Sequence, residues 1–281
     1  MVENRPWLNA LTHLLLIFGI IVVIFPIYIA LVTSTHEAED ILTTVQPWFG
    51  SEMLENYGTV LQKGKVSASG IPVGMMMWNS LIMALGIVVG KITISILSAF
   101  AIVYFRFPLK NLCFWTIFLT LMLPVEVRIL PTYAVVANLG LLNSYAGLTL
   151  PLIASATATF LFRQFFMTVP EELAEAARVD GAGPMKFFFD ILLPLSRTNL
   201  AALFVILFIY GWNQYLWPLI VTTDESMTTI VMGIQRMLYV ADAIPEWNIT
   251  MATAILAMLP PLLVVIVMQR QFVKGLVETE K

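Results

Sequence analysis

The stretch LLLIFGIIVVIFPIYIALV, from Leu14 to Val32, decides the fold class of this chain. It contains no charged side chain, and it approaches the ~20 apolar residues that a helix needs to cross a bilayer. A secretory signal peptide is the alternative, because Arg5 precedes the stretch. However, the apolar core of a signal peptide is usually only about 7–15 residues long, and no clear A-x-A cleavage site follows here. We therefore expect a retained membrane span.

The composition extends this expectation to the whole chain. Of its 281 residues, 59% are hydrophobic and only 12% are charged, whereas about 25% are charged in a typical soluble domain. A soluble globule cannot hide that much apolar surface, and each span must be helical because hydrocarbon offers the backbone no hydrogen-bond partners. We predict an all-α polytopic membrane bundle, a single domain over residues 1–281. Its six spans are predicted at 14–32, 73–104, 112–136, 148–166, 200–221 and 251–268.

Positive charges set the predicted orientation, because Lys and Arg are enriched in cytoplasmic segments. Of the 15 Lys and Arg residues, ten lie on the side of the N-terminus, three lie on the other side, and Lys91 and Arg128 lie within spans. Both termini and the polar segment 168–197 are therefore predicted to be cytoplasmic.

Several classes of activity are disfavoured by the residue inventory. The net charge of -3 supplies no basic field for nucleic acid. Cys113 is the single cysteine, and His13 and His36 have no ligand spacing around them, so we expect no metal site. No span carries a Ser/His, paired-Asp or His-Glu-x-x-His arrangement, so we predict no catalytic residues and no enzymatic activity.

The polar segment 168–197, between the fourth and fifth spans, carries the most information about function. Thr168 and Glu171 have the spacing of a capping box, in which each side chain bonds the other residue's backbone N–H. The pattern predicts a short helix that ends near Val179, where Gly181 supplies a left-handed cap.

The predicted short helix has the features of a docking element. A helix of this length is marginal by itself, so we expect it to rest on something. Ala176 and Ala177 give it a flat flank, and Glu175 and Arg178 place an acid and a base at its edge. Pro194 interrupts helical structure before the next span. These features favour docking in a groove of another protein. A capped loop helix lying on the membrane surface is the alternative.

The order of residues in this segment resembles the EAA motif of ABC importer permeases. The Glu175–Ala177 triplet is followed by Gly181 and then by the Ile191–Pro194 stretch, in a cytoplasmic loop before the last two spans. The six-span layout is similar to the carbohydrate-uptake branch of that family. More narrowly, TLMLPVEVR (120–128), FRFP (105–108) and GWNQYLWP (211–218) resemble the second permease subunit of sn-glycerol-3-phosphate importers.

This resemblance implies a type I importer permease in a bacterial inner membrane. The implied partners are a second permease subunit, a dimer of ATPase subunits that binds ATP and Mg, and a periplasmic solute-binding protein, with no cofactor on this chain. The implied solute is sn-glycerol-3-phosphate, with glycerophosphodiesters as further candidates. The residues that it assigns to ATPase coupling are Glu172, Glu175, Ala176, Ala177, Arg178, Asp180, Gly181 and Pro194.

Polar residues at membrane depth are candidates for the solute pathway, because ionisable groups there are costly. We assign Glu126, Arg128, Asn213 and Gln214 to this pathway, and the planar guanidinium of Arg128 suits a phosphate oxyanion. The alternatives are an internal ion pair or an outer-rim position for the charged residues, and interhelical hydrogen bonds or an interfacial belt for the amides. Lys91 follows Gly86-x-x-x-Gly90, a spacing that predicts close helix packing.

Two other functions compete with an importer subunit. A permease for a different sugar or polyol would share the EAA loop. A secondary transporter would act without an ATPase, although such proteins often contain two repeated halves with paired broken helices, and no such repeat is seen in this sequence.

Overall fold

The computed structural model describes residues 6–44, 46–62, 70–120, 125–239 and 245–277. All regular secondary structure in these residues is helical, which confirms the predicted all-α class. The α-helices are α1 (Pro6–Thr33), α2 (Ala38–Thr43), α3 (Met53–Gln62), α4 (Val73–Tyr104), α5 (Lys110–Leu119), α6 (Val125–Asn138), α7 (Tyr145–Thr149), α8 (Ala156–Thr168), α9 (Glu171–Val179), α10 (Pro184–Phe187), α11 (Leu193–Leu195), α12 (Arg197–Trp212), α13 (Leu216–Val221), α14 (Ile230–Leu238) and α15 (Trp247–Val277). The other helical turns are 3-10 turns at Leu150–Leu152 and Glu225–Met227 and a π turn at Phe188–Leu192.

Three helices in the described part of the chain are long and apolar enough to cross a bilayer: α1, α4 and α15. Two further spans arise when each of two bent helix pairs is counted as one. These pairs are Tyr145–Leu152 with Ala156–Thr168, bent by 49°, and Pro184–Leu195 with Arg197–Trp212, bent by 72°. The first, second and sixth predicted spans are thus confirmed as long helices, and the fourth and fifth correspond to the bent pairs.

The third predicted span, 112–136, falls on α5 and α6. These helices have 10 and 14 residues, so neither reaches the length of a span by itself. Residues 121–124, which join them, lie outside the described residues. The continuity of this span therefore stays a prediction.

The fifth predicted span, 200–221, is not one continuous helix. Helix α12 ends at Trp212 and α13 begins at Leu216. Pro218 lies in the first turn of α13, where its missing N–H is tolerated. In a continuous helix its ring would clash with the carbonyl group of residue 214. The fifth span is therefore interrupted, and the break precedes this proline.

The chain forms two compact units, and the expectation of a single domain over residues 1–281 stays a prediction. One unit comprises residues 1–75 and 233–259. Its buried Asn56 donates amide hydrogens to the carbonyl oxygens of Ser34 and His36, at 3.0 and 2.9 Å, and accepts one from Asn248 at 3.1 Å. The apolar side chains of α1 are largely exposed in this unit, as is typical of a lipid-facing surface.

The other unit comprises residues 76–232 and 260–281. Its hydrophobic core joins α4, α6, α7 and α13 through the buried side chains of Ile87, Val136, Leu148 and Trp217. The indole Nε1–H of Trp217 also donates to the carbonyl oxygen of Gly147 at 3.1 Å, so the one polar atom of this buried ring is satisfied.

Small residues on α4 allow neighbouring segments to approach closely. A Cβ atom added to Gly86 would lie 2.8 Å from Cγ2 of Thr149, and one added to Gly90 would collide with Ile153. The close packing predicted for Gly86-x-x-x-Gly90 is therefore present.

Candidate functional site: a coupling segment and a polar pathway

Helix α9 begins later than the sequence suggests. Its N-cap is Pro170, with no capping bond from a side chain. The hydroxyl group of Thr168 instead donates to the carbonyl oxygen of Phe165 at 2.7 Å. The predicted capping box is therefore wrong, because Thr168 still belongs to α8 and its hydroxyl is used there.

The end of α9 is a Schellman motif. Gly181 has a φ of 75°, its N–H donates to the carbonyl oxygen of Arg178 at 3.0 Å, and the N–H of Ala182 donates to that of Ala177 at 2.8 Å. These two bonds satisfy carbonyl groups that a helix end otherwise leaves unpaired. The left-handed cap predicted at Gly181 is confirmed. A Cβ atom added there would meet no other atom within 4 Å, so the turn is open to its surroundings.

One side of α9 is fixed against the rest of its unit. Ala177 is 5% exposed and lines a hollow with Phe100 and Tyr104 of α4 and Phe187 of α10. The rings of Tyr104 and Phe187 contact each other with centroids 5.2 Å apart. The expectation that Ala177 belongs to the outer flat flank is wrong. It lies about 100° around the helix from the exposed Ala176, and its burial shows that it faces inward.

The opposite side of α9 is exposed, and we call it the docking face. It consists of four residues at helical spacing: Glu172, Glu175, Ala176 and Val179. Val179 is 87% exposed, so the face has an apolar centre flanked by two carboxylates. Sequence reasoning missed Val179, although its place four residues after Glu175 puts it on the same face.

The other residues assigned to coupling lie around this face. Arg178 and Asp180 are exposed at the end of α9, and Arg178 also borders the hollow beneath it. Pro194 is half-buried inside α11. The expected break comes just after this proline, at Ser196, where the helical stretch from α10 to α11 meets α12 at 72°.

The predicted solute-pathway residues occupy two places. Asn213 is exposed and caps the end of α12, and Gln214 donates its side-chain amide to the backbone carbonyl oxygen of Tyr210 at 3.1 Å. Arg128 is exposed on α6. Glu126 lies in the same helix, but its side chain is outside the described residues.

Lys91 contributes a contact that sequence reasoning missed. It is only 7% exposed, although it lies near the middle of α4. Its Nζ lies 3.9 Å from the centroid of the Tyr210 ring. No short sequence pattern could reveal this contact, because Lys91 and Tyr210 lie on separate helices.

The helical architecture and the coupling segment agree with one family of known proteins. The family model described as "Binding-protein-dependent transport system inner membrane component" matches residues 91–278. The chain belongs to this family. It is an inner-membrane transport component with several spanning helices and a non-catalytic subunit, and the resemblance to ABC importer permeases is confirmed.

This permease is similar over its whole length to curated relatives. It is 59% identical over 282 residues to the sn-glycerol-3-phosphate transport system permease protein UgpE of Rhizobium meliloti (strain 1021), and 59% identical over 282 residues to UgpE of Brucella melitensis. It is 58% identical over 284 residues to UgpE of Escherichia coli O1:K1. Each alignment covers 100% of both chains.

A solved structure shares the fold of this permease. It is described as a bacterial ABC transporter involved in the import of the acidic polysaccharide alginate. The TM-score is 0.82 at 18% sequence identity, and the match covers 97% of this chain and 99% of that chain. The predicted fold of an ABC importer permease is thereby confirmed.

Proposed function

We propose that this permease carries sn-glycerol-3-phosphate inward across the membrane as one subunit of an ATP-driven importer, with glycerophosphodiesters as further candidate solutes. Full-length identity of 58–59% to permeases named for that solute supports the proposal. In this importer a periplasmic binding protein delivers the solute and a second permease completes the pathway. A dimer of ATPase subunits binds ATP and Mg on the cytoplasmic side.

The docking face of α9 is the observation that carries the coupling role. A partner meets the two carboxylates of Glu172 and Glu175 and the apolar surface of Ala176 and Val179, while the buried Ala177 ties the helix to its own unit. A force on the exposed side is therefore passed to the aromatic side chains that line the hollow. An amphipathic helix of this kind suits a groove on a partner protein.

The charge distribution of the chain supports a cytoplasmic partner. Ten of the 15 Lys and Arg residues lie in the segments that share a side with the termini and with residues 168–197. Because such segments usually stay in the cytoplasm, this bias supports a cytoplasmic location for both termini and the docking face, where ATP is available.

Reconstitution of the assembled importer tests the solute. The permease, its second permease, the ATPase subunits and the binding protein are placed in liposomes, and ATP hydrolysis and solute uptake are measured together. We expect sn-glycerol-3-phosphate to stimulate both, while glycerol and neutral sugars stimulate neither. Stimulation by a neutral sugar or polyol alone would favour the other importer class. Uptake without the ATPase would favour a secondary transporter.

A charge reversal tests the coupling segment. Glu175→Lys should lower solute uptake per ATP hydrolysed by about tenfold, because a hydrogen-bonded charge contact contributes about 1.5–3 kcal/mol. Glu225→Lys is the matched control, since Glu225 is also an exposed acid but lies in the turn after α13. Normal coupling in Glu175→Lys, or an equal defect in both variants, would contradict the docking role.

A further inference from the structure

The hollow beneath α9 has the size and lining of a ligand pocket. Its volume is about 430 Å³, within the range of about 300–1,000 Å³ that ligand pockets cover. It lies wholly within the unit formed by residues 76–232 and 260–281. Three buried side chains, those of Phe100, Ala177 and Phe187, form an apolar floor, and each is at most 6% exposed.

Two arginines give the hollow a positive rim. Arg106 follows the end of α4 and Arg178 lies in α9, and both side chains are exposed and line the hollow. Ten described residues line it, and none of them is an Asp or a Glu. A positive rim above an apolar floor suits a ligand in which an anionic group is joined to an apolar part.

The hollow lies at the depth of lipid headgroups. Helix α4 has 32 residues, so it is about 48 Å long and slightly exceeds the ~40–45 Å of a bilayer with its headgroup regions. Tyr104 ends this helix and lines the hollow. Its hydroxyl group donates to the carbonyl oxygen of Phe166, in the last turn of α8, at 3.4 Å. The ends of two spanning segments therefore meet beside the hollow.

The hollow and the docking face lie on different sides of α9. Ala174, Ala177 and Arg178 line the hollow, and their spacing of three and four residues places them on one face of the helix. The docking face, which includes Glu175 and Val179, is on the other side. An ATPase subunit bound to the docking face therefore does not need to enter the hollow.

We propose that the hollow binds the headgroup of an anionic phospholipid. The guanidinium groups of Arg106 and Arg178 contact the lipid phosphate, and the apolar floor contacts the glycerol backbone and the first carbons of the acyl chains. Arginine suits this role because its planar fork pairs with phosphate oxygens. Basic pockets between spans on the cytoplasmic side suit anionic headgroups, and the charge distribution of this chain favours that side for the hollow. A small soluble anion would leave the floor uncovered.

Photo-cross-linking in a membrane of defined composition tests the lipid site. The assembled complex of both permeases and the ATPase subunits is placed in nanodiscs of equimolar phosphatidylglycerol and phosphatidylcholine with identical acyl chains. p-Benzoylphenylalanine replaces Phe105, which is 41% exposed and lines the hollow, and mass spectrometry counts each lipid attached to it. We expect phosphatidylglycerol to exceed phosphatidylcholine by about 25-fold, because each of two arginines near a membrane surface favours an anionic lipid by about fivefold.

Charge removal at the rim should reduce this preference stepwise. Arg106→Gln and Arg178→Gln should each lower it by about fivefold, and the double substitution should abolish it. Both arginines are exposed, so the substitutions leave the buried floor intact. Lys186→Gln is the matched control and should keep the full preference, because Lys186 is an exposed cation of the same segment that does not line the hollow.

A second cross-linking position shows whether the preference belongs to the hollow. Phe189 is 56% exposed but does not line the hollow. Lipid attached to p-benzoylphenylalanine at this position should follow the composition of the nanodisc. An equal excess of phosphatidylglycerol at both positions would indicate a general attraction of the surface for anionic lipids and would contradict a site in the hollow.

Three results would overturn the lipid site. The first is no preference for phosphatidylglycerol at position 105, and the second is an unchanged preference in both single arginine variants. The third is loss of the lipid cross-link when inorganic phosphate replaces chloride at equal ionic strength, which would assign the hollow to a soluble anion. Solute-stimulated ATP hydrolysis is measured in the same nanodiscs. Its absence beside a normal lipid preference contradicts the proposed function and leaves the lipid site standing.

Discussion

The turn at Gly181 allows a direct measurement of whether another protein lies against the end of α9. Its φ of 75° costs any residue with a Cβ atom about 1–2 kcal/mol. No atom lies within 4 Å of an added Cβ, so side-chain size adds nothing in the permease alone. Gly181→Ala and Gly181→Leu should therefore lower the free energy of unfolding by the same ~1–2 kcal/mol. Gly181→Asn should lower it less, because Asn tolerates this conformation.

In the assembled importer the same two substitutions should separate. Leu extends into the space that is open in the permease alone, and overpacking against a partner surface costs about 1–3 kcal/mol. That range corresponds to about 5- to 150-fold in affinity for the ATPase subunits. Thermal unfolding in detergent measures the first quantity. ATPase binding and uptake per ATP in liposomes measure the second.

Each half of this prediction has its own refutation. If Gly181→Ala and Gly181→Leu behave alike in the assembled importer, no partner closes on the turn and the coupling role fails. If Leu destabilises the isolated permease far more than Ala does, the turn is not open and the geometry is wrong.

Three further substitutions test the packing of the unit formed by residues 76–232 and 260–281, each by thermal unfolding in detergent. Gly211→Ala should destabilise by about 1–3 kcal/mol, because the new Cβ would lie 2.9 Å from the backbone Cα of Ala84, which cannot rotate away. Trp217→Phe should cost about 1–2 kcal/mol, because the carbonyl group of Gly147 loses its donor. Asn79→Asp should cost about 3 kcal/mol or more, because two amide donations to loop carbonyl groups, at 2.7 and 3.0 Å, become contacts between acceptors.

Matched controls accompany these substitutions. Gly58→Ala, in α3, adds a Cβ with no atom within 4 Å and should stabilise by about 0.4–1 kcal/mol. Equal effects of Gly58→Ala and Gly211→Ala would contradict the close approach of α4 and α12. Tyr145→Phe removes one hydrogen bond to Asn79 but keeps both amide donations, so it should cost less than Asn79→Asp. The reverse order would contradict the role given to the amide donors.

Features that depend on local chemistry could be predicted from the sequence. The apolar stretch 73–104 matches the bounds of α4 because the length of an apolar run depends only on consecutive residues. The left-handed cap at Gly181 followed in the same way, since only the preference of glycine for positive φ was needed. Even so, Thr168 shows the limit of local rules, because its hydroxyl group satisfies α8 instead of capping α9.

Features that depend on tertiary packing could not be predicted. The sequence places Ala176 and Ala177 together, and only the position of Phe100 and Tyr104 decides that Ala177 is the buried one. Similarly, the glycine spacing before Lys91 indicated close packing, but the contact with Tyr210 depends on how α4 and α12 cross.

The 72° bend between Pro184–Leu195 and Arg197–Trp212 governs the direction in which a movement of the exposed turn travels. If both arms stay rigid, only about a third of a displacement along the first arm, the cosine of 72°, lies along the axis of α12. The lateral component, the sine of 72°, is about 0.95 of the displacement. Helix α12 would therefore tilt sideways far more than it would slide along its own axis. A bend of this angle favours the separation of neighbouring spans over movement of a span along its axis.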